Sequence, residues 1–229
     1  MAHQEAAGIP GTSAVRIPAQ DILIEGDLAV PANAAGLVIF AHGSGSSRFS
    51  RRNRMVADFL FDGGFATLLL DLLTRNEEAV DQHTGQYRFD IPRLSERVVA
   101  AIDWAGEQRA VAALPIGCFG ASTGAAAALM AAAARPTRVR AVISRGGRPD
   151  LAGDTLPRVE APTLLIVGGH DEPVIALNET ARRRLRGRSQ TTIVPGATHL
   201  FEERGALEKV ARLALEWCEL YVRTRTSGS

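Results

Sequence analysis

Three residue types that together could activate a nucleophile are spread over the second half of this 229-residue chain. Ser122 stands in the segment Gly120-Ala-Ser-Thr-Gly124, Asp171 follows an apolar run, and His199 lies further toward the carboxyl end. A serine hydroxyl is a weak nucleophile until a histidine accepts its proton, and that histidine needs an acid to orient it and stabilise its charged form. The three residues therefore predict nucleophilic attack on a carbonyl, provided that the fold brings them together.

The surroundings of Ser122 leave two interpretations open. The apolar run at 115–119 is typical of a strand, and the alanine-rich run at 125–134 is typical of a helix. In one interpretation Ser122 caps the helix, because serine is a favoured N-cap residue. In the other it is a nucleophile at a sharp strand-to-helix turn, where flanking glycines avoid the clashes that a Cβ would cause. The available partners favour the second interpretation.

The base and the acid are chosen by their order and position along the chain. Two of the five histidines follow Ser122, and His199 is the one in a loop after the last predicted strand. We therefore expect His199 to be the general base. Asp171 follows the exit Gly168-Gly169-His170 of the predicted strand 163–167 and is the expected acid. Glu172 is the near alternative and Asp154 the distant one, and a helix-capping role is open for each carboxylate.

An oxyanion hole requires backbone N–H groups that are already in place. We expect one from Thr123, the residue after the nucleophile, and one from Ser44 in the glycine-rich loop at 41–47, with Gly43 or Gly45 as neighbouring candidates. A phosphate-binding loop is the rival interpretation, but the loop lacks both G-x-G-x-x-G and the P-loop lysine. His42 precedes the serine, so we expect it to hold this loop by hydrogen bonds.

Short apolar runs alternate with helical patterns along the chain. The predicted strands are 14–18, 22–30, 36–41, 65–70, 115–119, 139–144, 163–167 and 191–194, and the predicted helices are 51–62, 92–109, 125–134, 174–186 and 207–221. This alternation predicts an α/β fold with a mostly parallel sheet of about eight strands, covered by helices on both faces. The first two strands have no helix between them and should form an antiparallel edge.

We expect one domain over residues 1–229, with about the first 12 and the last 6 residues flexible. The longest irregular segment, 72–91, is a candidate substrate-binding loop. Its Tyr87 and Phe89 could line an acyl or alcohol site. Arg145 is the candidate partner for a substrate carboxylate, with Arg75 and Arg148 as alternatives, although each arginine could equally be structural.

Composition and charge narrow the classes of protein. The chain is 46% hydrophobic and 22% charged, which excludes a disordered chain, and its net charge of +1 gives no reason to expect nucleic acid or a membrane as partner. The basic cluster at 181–188 reads as a solvated helix end. No signal peptide, 18-residue apolar stretch or metal-binding motif is evident, so we expect a cytoplasmic protein without metal or cofactor.

The motifs HGSGSS, GASTG, GGHDEP and GATHLFEE occur in this order at 42–47, 120–124, 168–173 and 196–203. With them the chain resembles the α/β-hydrolase superfamily, in particular its small dienelactone-hydrolase-like group. The resemblance implies an α/β-hydrolase fold without a cap domain and a serine esterase activity. Dienelactone hydrolases proper use a cysteine nucleophile, whereas this chain has Ser122 and places Cys118 four positions earlier. Ester cleavage is therefore the safer expectation than dienelactone cleavage.

We accordingly expect a hydrolase that cleaves small carboxylic esters through an acyl-enzyme intermediate, with Ser122 as nucleophile, His199 as base and Asp171 as acid. A small-molecule ester is the only partner expected, and nothing in the sequence indicates the oligomeric state. Thioesterase, lactonase and amidase activities use the same three residues and stay open. The alternative from another class is a non-catalytic binding domain on a hydrolase scaffold.

Overall fold

The computed structural model describes residues 11–224, in which eight strands form one sheet. The strands are β1 (Ser13–Ala19), β2 (Ile22–Ala29), β3 (Leu37–Ala41), β4 (Ala66–Leu70), β5 (Ile116–Ala121), β6 (Val139–Arg145), β7 (Thr163–Gly168) and β8 (Ser189–Val194). Most of the predicted flexible ends lie outside the described residues.

Residues 11–224 also contain six α-helices and one 3₁₀ segment, and the last helix follows the last strand. The helices are α1 (Arg51–Asp62), α2 (Arg75–Thr84), α3 (Ile91–Ala105), α4 (Thr123–Ala134), α5 (Glu172–Arg182) and α6 (Ala206–Tyr221), and the 3₁₀ segment is Pro149–Arg158. Over residues 11–224, no helix combines the length and the apolar character needed to cross a lipid bilayer.

The sheet has the strand order β1-β2-β4-β3-β5-β6-β7-β8. β1 pairs antiparallel with β2, and β2 pairs antiparallel with β4, so the predicted antiparallel edge is confirmed. The six neighbouring strands β4, β3, β5, β6, β7 and β8 are all parallel, which agrees with the predicted mostly parallel sheet. The carboxyl ends of these six strands therefore meet at one edge of the sheet, which is where ligands bind in open α/β sheets.

Helices cover both faces of the sheet, which explains the strands that are apolar on both sides. The strands β3, β4, β5 and β7 are buried along their whole length. α3 and α4 pack on one face, and α1 and α6 on the other. Eight of the twelve residues of α4 are alanine, and the helix is buried on nearly every side, because small side chains let it lie close to α3 and to the 3₁₀ segment.

The segment 72–91, predicted to be irregular, contains the ten-residue helix α2. The Thr74 side chain accepts the N–H of Glu77, and the Glu77 side chain accepts the N–H of Thr74, which satisfies two otherwise unpaired donors of the first turn. Gly85 ends the helix in the left-handed conformation, with φ of 67°. The prediction was wrong because local capping outweighs the weak hydrophobic periodicity of this stretch.

Candidate active site

Ser122 lies at the tip of the turn between β5 and α4, with φ of 50° and ψ of −121°. L-residues rarely adopt this backbone conformation, which costs about 1–3 kcal/mol. The glycines on either side permit the turn. A Cβ at Gly120 would overlap the Ala125 backbone, and one at Gly124 would overlap the carbonyl oxygens of Ala41 and His42. The spacing G-x-S-x-G is therefore a packing requirement of this turn.

The hydroxyl of Ser122 does not cap α4. Ser122 occupies the N-cap position, but its side chain accepts no hydrogen bond from the first turn. Within residues 11–224, no hydrogen bond of any kind reaches Ser122 Oγ. The half-buried hydroxyl is held on a strained backbone and has no structural partner. The capping interpretation therefore finds no support.

The loop after β6 holds the backbone of Ser122 on both sides. The N–H of Ser122 donates to the carbonyl of Arg145 at 3.3 Å, and the N–H of Arg148 donates to the carbonyl of Ser122 at 3.0 Å. Between them Gly146 takes a φ of 51°, and the amide of Asn178 on α5 donates to the carbonyl of Gly147 at 2.9 Å. Sequence reasoning missed this support, because it depends on the register between β5 and β6.

His199 and Asp171 form a hydrogen-bonded pair. Nδ1 of His199 lies 2.6 Å from Oδ2 of Asp171, whose side chain is 13% exposed. Because a carboxylate accepts this hydrogen bond, Nδ1 donates it, and in the neutral imidazole the free lone pair is then on Nε2. The ring lies against the loop that holds Ser122, since His199 Cε1 is 3.5 Å from a Cβ built on Gly146. A base with this tautomer can accept a serine proton.

The two alternative acids lie elsewhere. Glu172 is exposed in the first turn of α5, and Asp154 forms an ion pair with Arg184 at 2.9 Å. Asp171 occupies the N-cap position of α5 without a side-chain capping bond, so its carboxylate is available to the imidazole. Of the three carboxylates considered from the sequence, only Asp171 contacts His199.

The two residues expected to supply the oxyanion donors contact each other next to Ser122. Thr123 opens α4, where an N–H group has no acceptor within the helix. Ser44 lies in the loop after β3, and its N–H donates to no other group in the described part of the chain. The loop approaches closely, since a Cβ on Gly43 would lie 2.9 Å from Ser122 Cβ. The side-chain oxygens of Ser44 and Thr123 are 3.1 Å apart and share a hydrogen bond.

His42 fixes this loop, which confirms the sequence expectation. Its Nδ1 donates to the carbonyl of Gly43 at 2.8 Å, and its Nε2 accepts the N–H of Leu72 at 3.0 Å. Burial lowers the pKa of His42 from its ordinary value near 6.5, outweighing the hydrogen bond to Gly43 and the attraction of Asp71. A neutral imidazole therefore joins the loop after β3 to the segment after β4.

The three predicted substrate-binding side chains have different surroundings. The ring of Tyr87 packs under the guanidinium of Arg93 at 4.9 Å, and Phe89 is 61% exposed. Arg145 is buried, and its Nη2 makes one long hydrogen bond of 3.4 Å to Asn53 while Nε and Nη1 have no partner. Burial and, to a smaller extent, the neighbouring Arg52 lower the pKa of Arg145 to about 10. The substrate-binding roles of Tyr87, Phe89 and Arg145 stay predictions.

The other candidate groups have structural partners or are enclosed. Arg75 is exposed and Arg148 pairs with Asp150 at 2.8 Å. Cys118 is buried in β5, and burial raises the pKa of its thiol to about 12. In residues 11–224, no group of three or more His, Cys, Asp or Glu side chains is arranged to hold a metal ion.

Comparisons with known proteins agree with this architecture. Residues 24–220 match the family model described as "Dienelactone hydrolase family". Two curated relatives from Mycobacterium tuberculosis, strains CDC 1551 / Oshkosh and ATCC 25618 / H37Rv, carry the name "Putative phosphoribosyl transferase" and are 55% identical over 203 residues. The match covers 89% of this chain but only 45% of each relative. The chain thus spans less than half the length of these relatives.

Solved structures are similar over almost the whole chain. The crystal structure of dienelactone hydrolase from Anabaena variabilis ATCC 29413 is 54% identical, with a TM-score of 0.91 over 93% of this chain and 98% of that one. Est1E from Butyrivibrio proteoclasticus, bound to ferulic acid, is 20% identical with a TM-score of 0.74, over 90% of this chain and all of that one. At that identity the likeness concerns the fold alone.

Proposed function

The chain belongs to the dienelactone hydrolase family, and from this membership we propose that it is a serine hydrolase that cleaves small carboxylic esters through an acyl-enzyme intermediate. The observation that carries the proposal is the 2.6 Å hydrogen bond between His199 and Asp171, at the same sheet edge as a strained Ser122 whose hydroxyl has no hydrogen-bond partner among residues 11–224. An activated serine needs this pair of groups and a turn that exposes its hydroxyl.

The first step forms the acyl-enzyme. Ser122 Oγ attacks the ester carbonyl carbon while its proton passes to Nε2 of His199, and the carbonyl oxygen becomes an oxyanion that the N–H groups of Thr123 and Ser44 stabilise. The carbon–oxygen bond to the alcohol then breaks, and Nε2 gives its proton to the departing oxygen. Throughout, Asp171 stabilises the imidazolium and holds its tautomer.

The second step returns the enzyme to its starting state. Water attacks the acyl carbon and loses a proton to Nε2, and collapse of the intermediate returns that proton to Ser122 Oγ and releases the carboxylic acid. Because Ser122 Oγ has no hydrogen bond among residues 11–224, the imidazole must close on the hydroxyl when substrate binds. Catalytic hydrogen bonds are often long before substrate arrives.

Serine is a better candidate nucleophile than the nearby cysteine. Cys118 lies within β5 and is fully buried, and its raised pKa of about 12 leaves the thiol protonated at neutral pH. Ester, thioester, lactone and amide substrates all remain compatible with the three side chains, and we propose carboxylic esters as the principal class because a serine nucleophile with this arrangement is the esterase pattern.

The proposal is tested by comparing Ser122→Ala with wild type on 4-nitrophenyl butyrate. We expect kcat to fall by at least about 10³-fold while the circular dichroism spectrum is unchanged. Ser13→Ala, which removes an exposed hydroxyl on the remote edge strand β1, is the matched control and should keep full activity. Full activity of a folded Ser122→Ala variant would overturn Ser122 as the nucleophile, whereas a folded wild type that hydrolyses no ester would favour the alternative of a non-catalytic binding domain.

A further inference from the structure

A cavity of about 100 Å³ lies beside Ser122, between the loop after β3 and the segment after β4. Two of its lining residues flank the nucleophile, since Thr123 follows it in sequence and Gly43 approaches its Cβ. Leu72, Leu73 and Leu94 form the apolar wall. Residues of α2 and the loop that follows it close the cavity on the remaining side.

The strand order decides which arm of an ester this cavity can receive. His199 approaches the nucleophile from the β6 side, where its ring lies against Gly146. The cavity lies on the opposite side of β5, at the carboxyl ends of β3 and β4. Because His199 must protonate the departing alcohol, the alcohol arm has to lie on the β6 side. The acyl arm then points toward the cavity.

The volume limits the acyl group to a few atoms. Since an engineered cavity of about 150 Å³ holds a benzene ring, a cavity of about 100 Å³ fits a shorter acyl chain of roughly two to four carbons. Hydrogen bonds also hold in place the segment that closes the cavity, which is α2 and the loop that follows it. The Asp81 carboxylate accepts the N–H groups of Tyr87 and Arg88 at 2.7 and 2.9 Å and the Nε of Arg88 at 2.8 Å. The hydroxyl of Ser44 donates to the carbonyl of Arg88 at 3.4 Å, which ties this wall to the loop of the expected oxyanion donor.

One carboxylate in the cavity has no counter-charge. Asp71 is paired with Arg48, and Asp81 is paired with Arg88. Glu78 is half-buried on α2 and lines the same cavity, but its carboxylate forms no hydrogen bond or ion pair with any of residues 11–224. A second carboxylate placed beside it would be repelled, whereas an uncharged chain would not.

We propose that this cavity is the acyl subsite, and that it selects short, uncharged acyl groups of about two to four carbons against both longer chains and chains that end in a carboxylate. The proposal rests on the proposed esterase function. It assigns the size limit to the leucine wall closed by α2 and the charge discrimination to Glu78.

Four 4-nitrophenyl esters with the same alcohol arm test the assignment on the full chain: the acetate, butyrate, octanoate and hemisuccinate. The butyrate and the hemisuccinate have acyl chains of four carbons and differ chiefly in charge. We expect kcat/KM for the acetate and butyrate to exceed that for the octanoate and for the hemisuccinate by about tenfold or more. Equal kcat/KM values for all four esters would overturn the subsite while leaving the esterase function in place.

Two variants test which residues discriminate against charged acyl chains and against long ones. Glu78→Gln should raise the hemisuccinate-to-butyrate ratio of kcat/KM by about tenfold, and Glu107→Gln, at an exposed position after α3, should leave that ratio unchanged. Leu73→Ala should raise the octanoate-to-butyrate ratio. If the hemisuccinate-to-butyrate ratio is unchanged in Glu78→Gln and the octanoate-to-butyrate ratio is unchanged in Leu73→Ala, in proteins with native circular dichroism, the assignment is overturned. Hydrolysis of none of the esters by wild type would remove the esterase function and the subsite with it.

Discussion

The imidazole of His199 and the carboxylate of Asp171 share a hydrogen bond of 2.6 Å between two loops that follow neighbouring strands, β8 and β7. Glu172, the next residue along the chain, is exposed and forms no hydrogen bond or ion pair with His199. Substituting each of these two adjacent acids therefore tells whether the rate depends on the hydrogen bond that orients His199 or only on negative charge near it.

Asp171→Asn should lower kcat on 4-nitrophenyl butyrate by about 10³- to 10⁴-fold, because an amide can donate to Nδ1 and favour the wrong tautomer. Glu172→Gln should change kcat by less than about twofold. Steady-state kinetics of both variants provide the measurement. An equal loss in the two variants would show that charge near His199, and not its hydrogen bond to residue 171, supports the rate.

His42 makes the free energy of unfolding depend on pH. Burial lowers its pKa, so below about 6.5 the unfolded chain binds a proton at residue 42 that the folded chain does not bind. The contribution of His42 to stability is therefore fully present above about pH 6.5 and is lost as the pH falls from there toward the lowered pKa of the folded state. The loss is at most about 1.4 kcal/mol per pH unit.

Thermal unfolding of His42→Gln at pH 8 and pH 5.5 measures this contribution. The variant loses two buried hydrogen bonds, so at pH 8 its Tm should lie below that of wild type. At pH 5.5 the gap in Tm should narrow, because only wild type carries the penalty at residue 42. His83→Gln, at an exposed position on α2, should show the same gap at both values. A His42→Gln gap that stays constant or widens in acid would contradict a neutral, buried imidazole.

Two buried arginines should respond in opposite ways to the same substitution. Arg97 donates to the carbonyl of Ala19 and pairs with Glu77 at 3.1 Å, whereas Arg145 has two nitrogens without partners. Arg97→Met should lower the free energy of unfolding by about 3 kcal/mol, since it leaves a carboxylate and a carbonyl with fewer partners. Arg145→Met should leave it unchanged or raise it by about 1 kcal/mol. Chemical denaturation of both variants is the measurement.

Arg145→Met also tests the substrate-binding role predicted for that residue. If Arg145 binds a substrate carboxylate, the variant should lose kcat/KM for butyrate esters with an acidic alcohol arm more than for neutral ones. The same relative loss for both would discard that role. A large fall in the free energy of unfolding of Arg145→Met would mean that the buried guanidinium has a hydrogen-bond or ion-pair partner in solution.

Some features of the fold and of the candidate active site could be predicted from the sequence, and others could not. The elbow around Ser122 is readable because its chemistry requires a fixed local pattern, and the glycines at 120 and 124 are needed by contacts with Ala125, Ala41 and His42. The pairing of Asp171 with His199 follows from strand order, since residues that follow parallel strands meet at one edge. The turn at Ser122 thus depends on local sequence rules, and the pairing of Asp171 with His199 depends on the order of the strands in the sheet.

Other features depend on tertiary contacts or on a signal that was overlooked. The capping box at Thr74 and Glu77 and the C-cap at Gly85 could have predicted α2. The clamp on Ser122 by Arg145 and Arg148 could not be predicted in the same way, because it needs the register between β5 and β6. The enclosure of Arg145, predicted to meet a substrate, likewise depends on where α1 packs.

Covalent labelling by a fluorophosphonate tests the central claim most directly, because the reagent reacts with an activated serine whatever the natural substrate is. Intact mass and peptide mapping of the labelled full chain should show one adduct, on Ser122, with labelling abolished in Ser122→Ala and slowed in Asp171→Asn. An unlabelled wild-type protein with native circular dichroism, or an adduct on another residue, would contradict Ser122 as the activated nucleophile.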